Sequence, residues 1–95
     1  MLTGKQKRYL RAQGNSLHAI FQIGKDGLHQ KQIESIDDAL TAHELIKIKV
    51  LESCMLSKNE VALELSRCTK SEVAQILGRT ILLYRHSKKE LYRLP

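Results

Sequence analysis

The chain has little of what builds the commonest chemical sites. Cys54 and Cys68 are its only cysteines, and no C-x-x-C pair suggests zinc or a redox couple. Two reduced thiols in cytosolic surroundings are the expectation. The histidines, His18, His29, His43 and His86, show neither H-x-x-x-H nor H-E-x-x-H spacing, so no metal site is expected. Tryptophan is absent, and three tyrosines with one phenylalanine are too few for a platform of aromatic rings under stacked bases. Apolar runs stay short, as in Ile81-Leu82-Leu83-Tyr84, whereas a bilayer span takes about 20 residues and a signal peptide's apolar stretch at least about 7. A protein neither inserted in a membrane nor exported follows.

Catalytic patterns are missing too. No nucleophile stands with a base and an orienting acid. His43 and Glu44 are adjacent at a helix-to-strand junction, where side chains diverge, so they serve to end one element and begin the next. Asp37 and Asp38 lie on the solvated side of a helix whose inner face is Ile33, Ile36 and Leu40. No catalytic residue and no cofactor is expected, and the chain does not read as an enzyme.

What is present is positive charge. Sixteen Lys and Arg against ten Asp and Glu leave +6, with a pI near 9.6, which favours a polyanionic partner through counterion release and steering. The charge is also segregated. The first eleven residues hold Lys5, Lys7, Arg8 and Arg11 and no acid, residues 34–64 hold seven acids against three lysines, and Arg79, Arg85, Lys88, Lys89 and Arg93 make the C-terminus basic again. One patch results if the fold brings the termini together.

With 95 residues the chain is one domain, residues 1–95, without linker or repeat. Thr3 with Gln6 forms a capping box that opens a basic helix running to about Gly14. His18 to Ile23 alternates as a strand, and Leu28 to His43 has helical apolar spacing. In Glu44 to Leu51, Ile46, Ile48 and Val50 face one way and Lys47 and Lys49 the other. Ser57 with Glu60, and Thr69 with Glu72, read as two further capping boxes opening two short helices, the second closed by Gly78. Thr80 to Arg85 is a strand, His86 to Lys89 a turn, and Glu90 to Leu94 a returning short strand. This order predicts an α/β two-layer sandwich, helices on a mixed sheet of about four strands.

The sharpest local feature is Gly24-Lys25-Asp26-Gly27, a G-x-x-G loop between strand and helix. Glycines let a backbone approach a ligand, and N–H groups at the next helix start favour phosphate. An ordinary tight turn has the same spelling, and Asp26 would repel phosphate where Lys25 attracts it. Tyr9, Tyr84 and Tyr92 are candidates for base stacking, although a tyrosine in a terminal strand is more often core or rim.

Leu2-Thr3-Gly4-Lys5-Gln6, Ile23-Gly24-Lys25-Asp26-Gly27-Leu28, His43-Glu44-Leu45-Ile46-Lys47-Ile48-Lys49 and Ile81-Leu82-Leu83-Tyr84-Arg85, in this order, together resemble the CRM domain, the chloroplast RNA splicing and ribosome maturation domain, in its stand-alone bacterial form. The resemblance runs from Leu2 to Pro95. It implies a fold similar to the C-terminal domain of translation initiation factor three, and RNA binding through the loop and nearby basic surface. It further implies association with rRNA of precursor large ribosomal subunits during assembly in the cytoplasm. The implied RNA contacts are Gly24, Lys25 and Gly27, supported by Lys5, Lys7, Arg8 and Arg11 of the first helix, by Lys31 and by Arg85. Family members often place Thr, a natural helix cap, where this chain has His29. A monomer without membrane partner is expected. The alternative is a protein-interaction module that docks on ribosomal proteins or assembly factors through the acidic helix around Asp37 and Asp38.

Overall fold

Thr3 and Gln6 do close a capping box: the Thr3 hydroxyl accepts from the Gln6 N–H at 3.1 Å, and the Gln6 side chain accepts from the Thr3 N–H at 3.0 Å. Ser57 and Glu60 repeat the arrangement at 3.1 and 3.3 Å. In the computed structural model, which describes residues 1–95, these boxes open α1 (Gly4–Gly14) and α3 (Lys58–Thr69). The remaining elements are β1 (Ala19–Ile23), α2 (Gln30–His43), β2 (Leu45–Val50), β3 (Glu72–Leu77) and β4 (Thr80–Tyr84).

The strands form one sheet in the order β1-β2-β4-β3, with β1 parallel to β2 and the other pairs antiparallel. Chain order then sorts the connections to two ends. At the loop end lie the Gly24–Gly27 turn, the segment 51–57 and the β3–β4 turn. At the tail end lie Ala19, Leu45, Glu72 and Tyr84. Both α2 and α3 start at the loop end and run back across the same face of the sheet.

Alternation in β2 sends Ile46, Ile48 and Val50 into the main core, where they meet Ile36 and Leu40 of α2, Val61 and Leu65 of α3, and Ile81 and Leu83 of β4. Leu45 points the other way, into a smaller cluster with Leu10 of α1, Ala74, Leu82 and Tyr84. The α/β class and the helices on a mixed four-stranded sheet are as expected. Because the second face has its own apolar residues, α1 packs there and adds a third layer over β2, β3 and β4.

Two sequence expectations need correction. Residues 72–77 are not a helix but strand β3. Thr69 opens nothing; it sits in the last turn of α3, its hydroxyl donating to the Leu65 carbonyl, and Lys70 ends that helix in the left-handed region at φ 54°. A bulge between Val73 and Gln75 puts Val73 opposite Leu83 and Ile76 opposite Ile81, so residues three apart share a face and imitate helical spacing. Residues 90–94 form no strand either. The Leu91 and Tyr92 N–H groups instead donate to the Glu44 carboxylate, at 2.7 and 3.1 Å, and that carboxylate also accepts from the Ser87 N–H at 2.6 Å.

Candidate nucleic-acid interface

Residues 24–27 form a tight turn closed by the Gly27 N–H on the Gly24 carbonyl at 3.0 Å. Gly27 sits at φ 65°, a conformation that costs a side-chain-bearing residue about 1 kcal/mol or more. Lys25 and Asp26 form the exposed tip. His29 then caps α2: its backbone is extended and its Nδ1 accepts from the Gln32 N–H at 3.3 Å, the job a threonine hydroxyl would do. The Ile33 N–H already bonds the His29 carbonyl, so the N–H groups of Gln30 and Lys31 point outward without helical partners. No acid occupies the first turn of α2, which leaves the positive end of its dipole open to an anion.

Beside this turn lies the part of the sheet that α1 leaves bare. Lys47 and Lys49 project there from β2, flanked by their partners Ala19 and Gln22 of β1. On α1, Leu10 is buried against the sheet and the Gln6 side chain donates to the Pro95 carbonyl at 3.2 Å, so this flank of the helix faces the C-terminal tail. At 100° per residue Lys7 and Arg11 fall on the flank away from that tail, and Lys5 and Arg8 on the outer side. All four are exposed. The ion pairs of the fold are Met1–Glu72, Arg67–Glu64 and Arg85–Asp37, so the cations of α1, the turn, α2 and the bare sheet have no carboxylate holding them.

Arg85 is placed elsewhere. It follows β4 at the tail end, and its guanidinium binds the Asp37 carboxylate and carbonyl, the Thr69 carbonyl and the Thr41 hydroxyl. Those bonds saturate most of its donors and pin α2, α3 and β4 together. The tyrosines are likewise engaged. Tyr84 is buried, Tyr9 and Tyr92 pack against the same cluster, and burial, then the Glu44 charge and Tyr9, raise the Tyr84 phenol above its ordinary pKa. Glu44 itself is fully buried at φ 64°. Burial alone would raise its pKa, but the hydrogen bonds from Ser87, Tyr92 and Leu91 outweigh it and hold the carboxyl below the usual range.

Lys49, Lys58 and Arg79 join Lys25 and Lys31 at the loop end. Arg79 stands in the β3–β4 turn, held where its carbonyl accepts from the Val50 N–H at 2.8 Å. Its place at the same end of the sheet as Lys25, over fifty positions away in the sequence, depends on the sheet order. No group of three or more His, Cys, Asp or Glu side chains comes together that could hold a metal ion, and no helix is long and apolar enough to cross a membrane.

The CRS1/YhbY (CRM) domain model matches residues 2–85, a span that takes in the G-x-x-G turn, the capped α2 and the parallel β1–β2 pair. The chain belongs to the CRM domain family. Among similar members, the Bacillus subtilis protein named Probable RNA-binding protein YqeI is 48% identical over 89 residues, covering 94% of this chain and 93% of its own. A Haemophilus influenzae protein named RNA-binding protein is 33% identical over 94 residues, covering 99% and 95%. The solution structure of the Staphylococcus aureus protein SAV1595 superposes with a TM-score of 0.85 at 48% identity, covering 100% of both chains. This CRM domain therefore shares its fold with the Staphylococcus aureus protein and its sequence with relatives named as RNA-binding or probable RNA-binding proteins.

Proposed function

We propose that this CRM domain binds RNA, and specifically the rRNA of precursor large ribosomal subunits during their assembly in the cytoplasm, as a monomer and without catalysing a reaction. The observation that carries the reading is the arrangement at the loop end. A glycine turn with an exposed lysine opens onto two outward N–H groups at the start of α2, beside a strip of unpaired lysines. Backbone and shape recognition suits this surface, since its donors match phosphates and its tyrosines are packed away. Gly24, Lys25, Gly27 and Lys31 form the clamp in this reading. Lys5, Lys7, Arg8 and Arg11 widen the basic surface along α1, and Arg85 is assigned to holding the fold.

Docking on a ribosomal protein through the acidic side of α2 is less well supported, because Asp37 is occupied by Arg85. Sedimentation of cell extract with and without RNase separates the two readings. Co-migration with large-subunit precursors that RNase abolishes is the expected result. Co-migration that survives RNase would move the contact to protein, and a position at the top of the gradient throughout would remove the ribosome from the reading.

A further inference from the structure

Of the large apolar side chains left exposed, three gather at the loop end: Met55 at 88%, Leu77 at 68% and Leu56 at 38%. Met55 and Leu56 lie on the segment between β2 and α3. With Cys54, Ser57 and Lys58 they line a shallow concavity whose remaining wall is Arg79. The segment is well anchored at its base, the Leu51 N–H donating to the Ile23 carbonyl at 2.9 Å and the Cys54 N–H to the Leu51 carbonyl at 3.0 Å. It also touches the clamp: a Cβ built on Gly27 would lie 3.9 Å from Leu56 Cδ1. An apolar rim therefore runs directly on from the phosphate-binding turn, between Lys25 on one side and Lys58 and Arg79 on the other.

Duplex RNA presents phosphates and riboses to a surface of this kind and offers nothing apolar. The apolar surface of RNA is the faces of its bases, and these are free only where the strand is unpaired. Resting on the RNA-binding reading above, we infer that the turn and the 51–58 segment form one site for an unpaired nucleotide, in a single strand, loop or bulge. The backbone phosphate lies on the Gly24–Gly27 turn, one base lies on Met55 and Leu56, and Arg79 or Lys58 meets the adjacent phosphate. Asp26, Glu52 and Glu60 are the carboxylates nearby, Glu60 turned toward the α3 capping box, against the cations Lys25, Lys49, Lys58 and Arg79.

The test measures fluorescence anisotropy of the intact chain with a short labelled oligouridylate and with a blunt RNA duplex of equal length, at matched salt. Wild type is expected to favour the unpaired probe about tenfold, and the Met55→Ala/Leu56→Ala double variant to lose most of that preference while duplex binding and salt slope stay unchanged. Met55→Phe, which leaves the buried core alone, is expected to strengthen binding to the unpaired probe by a few fold. Equal affinity of wild type for both probes, or a preference that survives the double variant in a folded chain, overturns the site while leaving RNA binding intact. Failure to bind either probe at low salt overturns the RNA-binding reading with it. A double variant that melts lower leaves Met55→Phe to decide, and no gain from that ring counts against the site.

Discussion

The two ends of the sheet use charge in opposite ways. At the tail end, Glu44 is buried and spends its carboxylate on three backbone N–H groups, and Arg85 spends its guanidinium on α2 and α3. At the loop end, Lys25, Lys31 and Lys49 are exposed and make no ion pair. Charge that is satisfied internally holds a fold, and charge left unsatisfied waits for a partner. Residues of both kinds lie within the family's signature segments, so membership alone does not tell an architectural residue from a contact residue.

The tail end should break hardest. Glu44→Ala leaves the N–H groups of Ser87, Leu91 and Tyr92 without their acceptor and frees the tail that helps cover Leu10 and Tyr84. A loss of about 3 kcal/mol in denaturant unfolding is expected, together with faster amide exchange after residue 87. Arg85→Met should cost less, about 2 kcal/mol, because Asp37 is half exposed and water can replace its partner. Neither variant should alter the salt slope of RNA binding in protein that remains folded. A strong affinity loss in folded Arg85→Met would return that residue to the interface.

Acid should act on the same end. The Glu44 carboxyl lies below its ordinary 4.5 in the folded chain, so between those values the folded form binds fewer protons than the unfolded form. Its contribution is complete above pH 4.5 and disappears as pH falls through the folded value. Stability followed from pH 6 downward should fall more steeply in wild type than in Glu44→Gln, and parallel curves would show that the tail is held by packing alone.

How legible this contrast is in the sequence depends on distance along the chain. The Thr3–Gln6 and Ser57–Glu60 boxes bond partners three residues apart, and the β2 alternation is local, so helices α1 and α3 and strand β2 were readable. Strand β3 was not, because its bulge moves Val73 and Ile76 onto one face at a spacing proper to a helix. Nor was the tail, whose strand-like alternation is real but whose N–H groups bond a carboxylate more than forty residues upstream. The same limit governs the site. Gly24, Lys25 and Gly27 form a local motif, whereas the engagement of Arg85 by Asp37 and the arrival of Arg79 at the loop end are consequences of topology.

Glycines offer a sharper comparison within the loop end. Gly27 and Gly78 both sit at positive φ, 65° and 59°, so alanine at either should cost about 1 kcal/mol of stability. Of these two, Gly27→Ala should also weaken RNA binding, since Gly27 belongs to the clamp and Gly78 does not. At Gly24, by contrast, an added Cβ meets Leu51 and Ser53 at 3.5 and 3.7 Å, ordinary contact distances. Gly24→Ala is therefore expected to keep its stability while losing affinity. Equal affinities for all three variants would mean that the turn does not touch the ligand.

The smallest stability effects carry the finest distinction. Lys25→Ala, Lys49→Ala and Lys88→Ala each remove an exposed, unpaired charge, and each should shift stability by less than about 0.5 kcal/mol. Simple attraction between a basic protein and RNA would lower affinity similarly for all three. A located clamp predicts that the salt slope falls by about 0.7 to 0.9 for each phosphate contact removed, for Lys25 and Lys49 but not for Lys88 at the tail end. Titrations of one RNA at several salt concentrations separate these cases. An equal fall for Lys88 would mean that the charge acts as a diffuse field, and the division of labour between the two ends would then hold for the fold and not for the ligand.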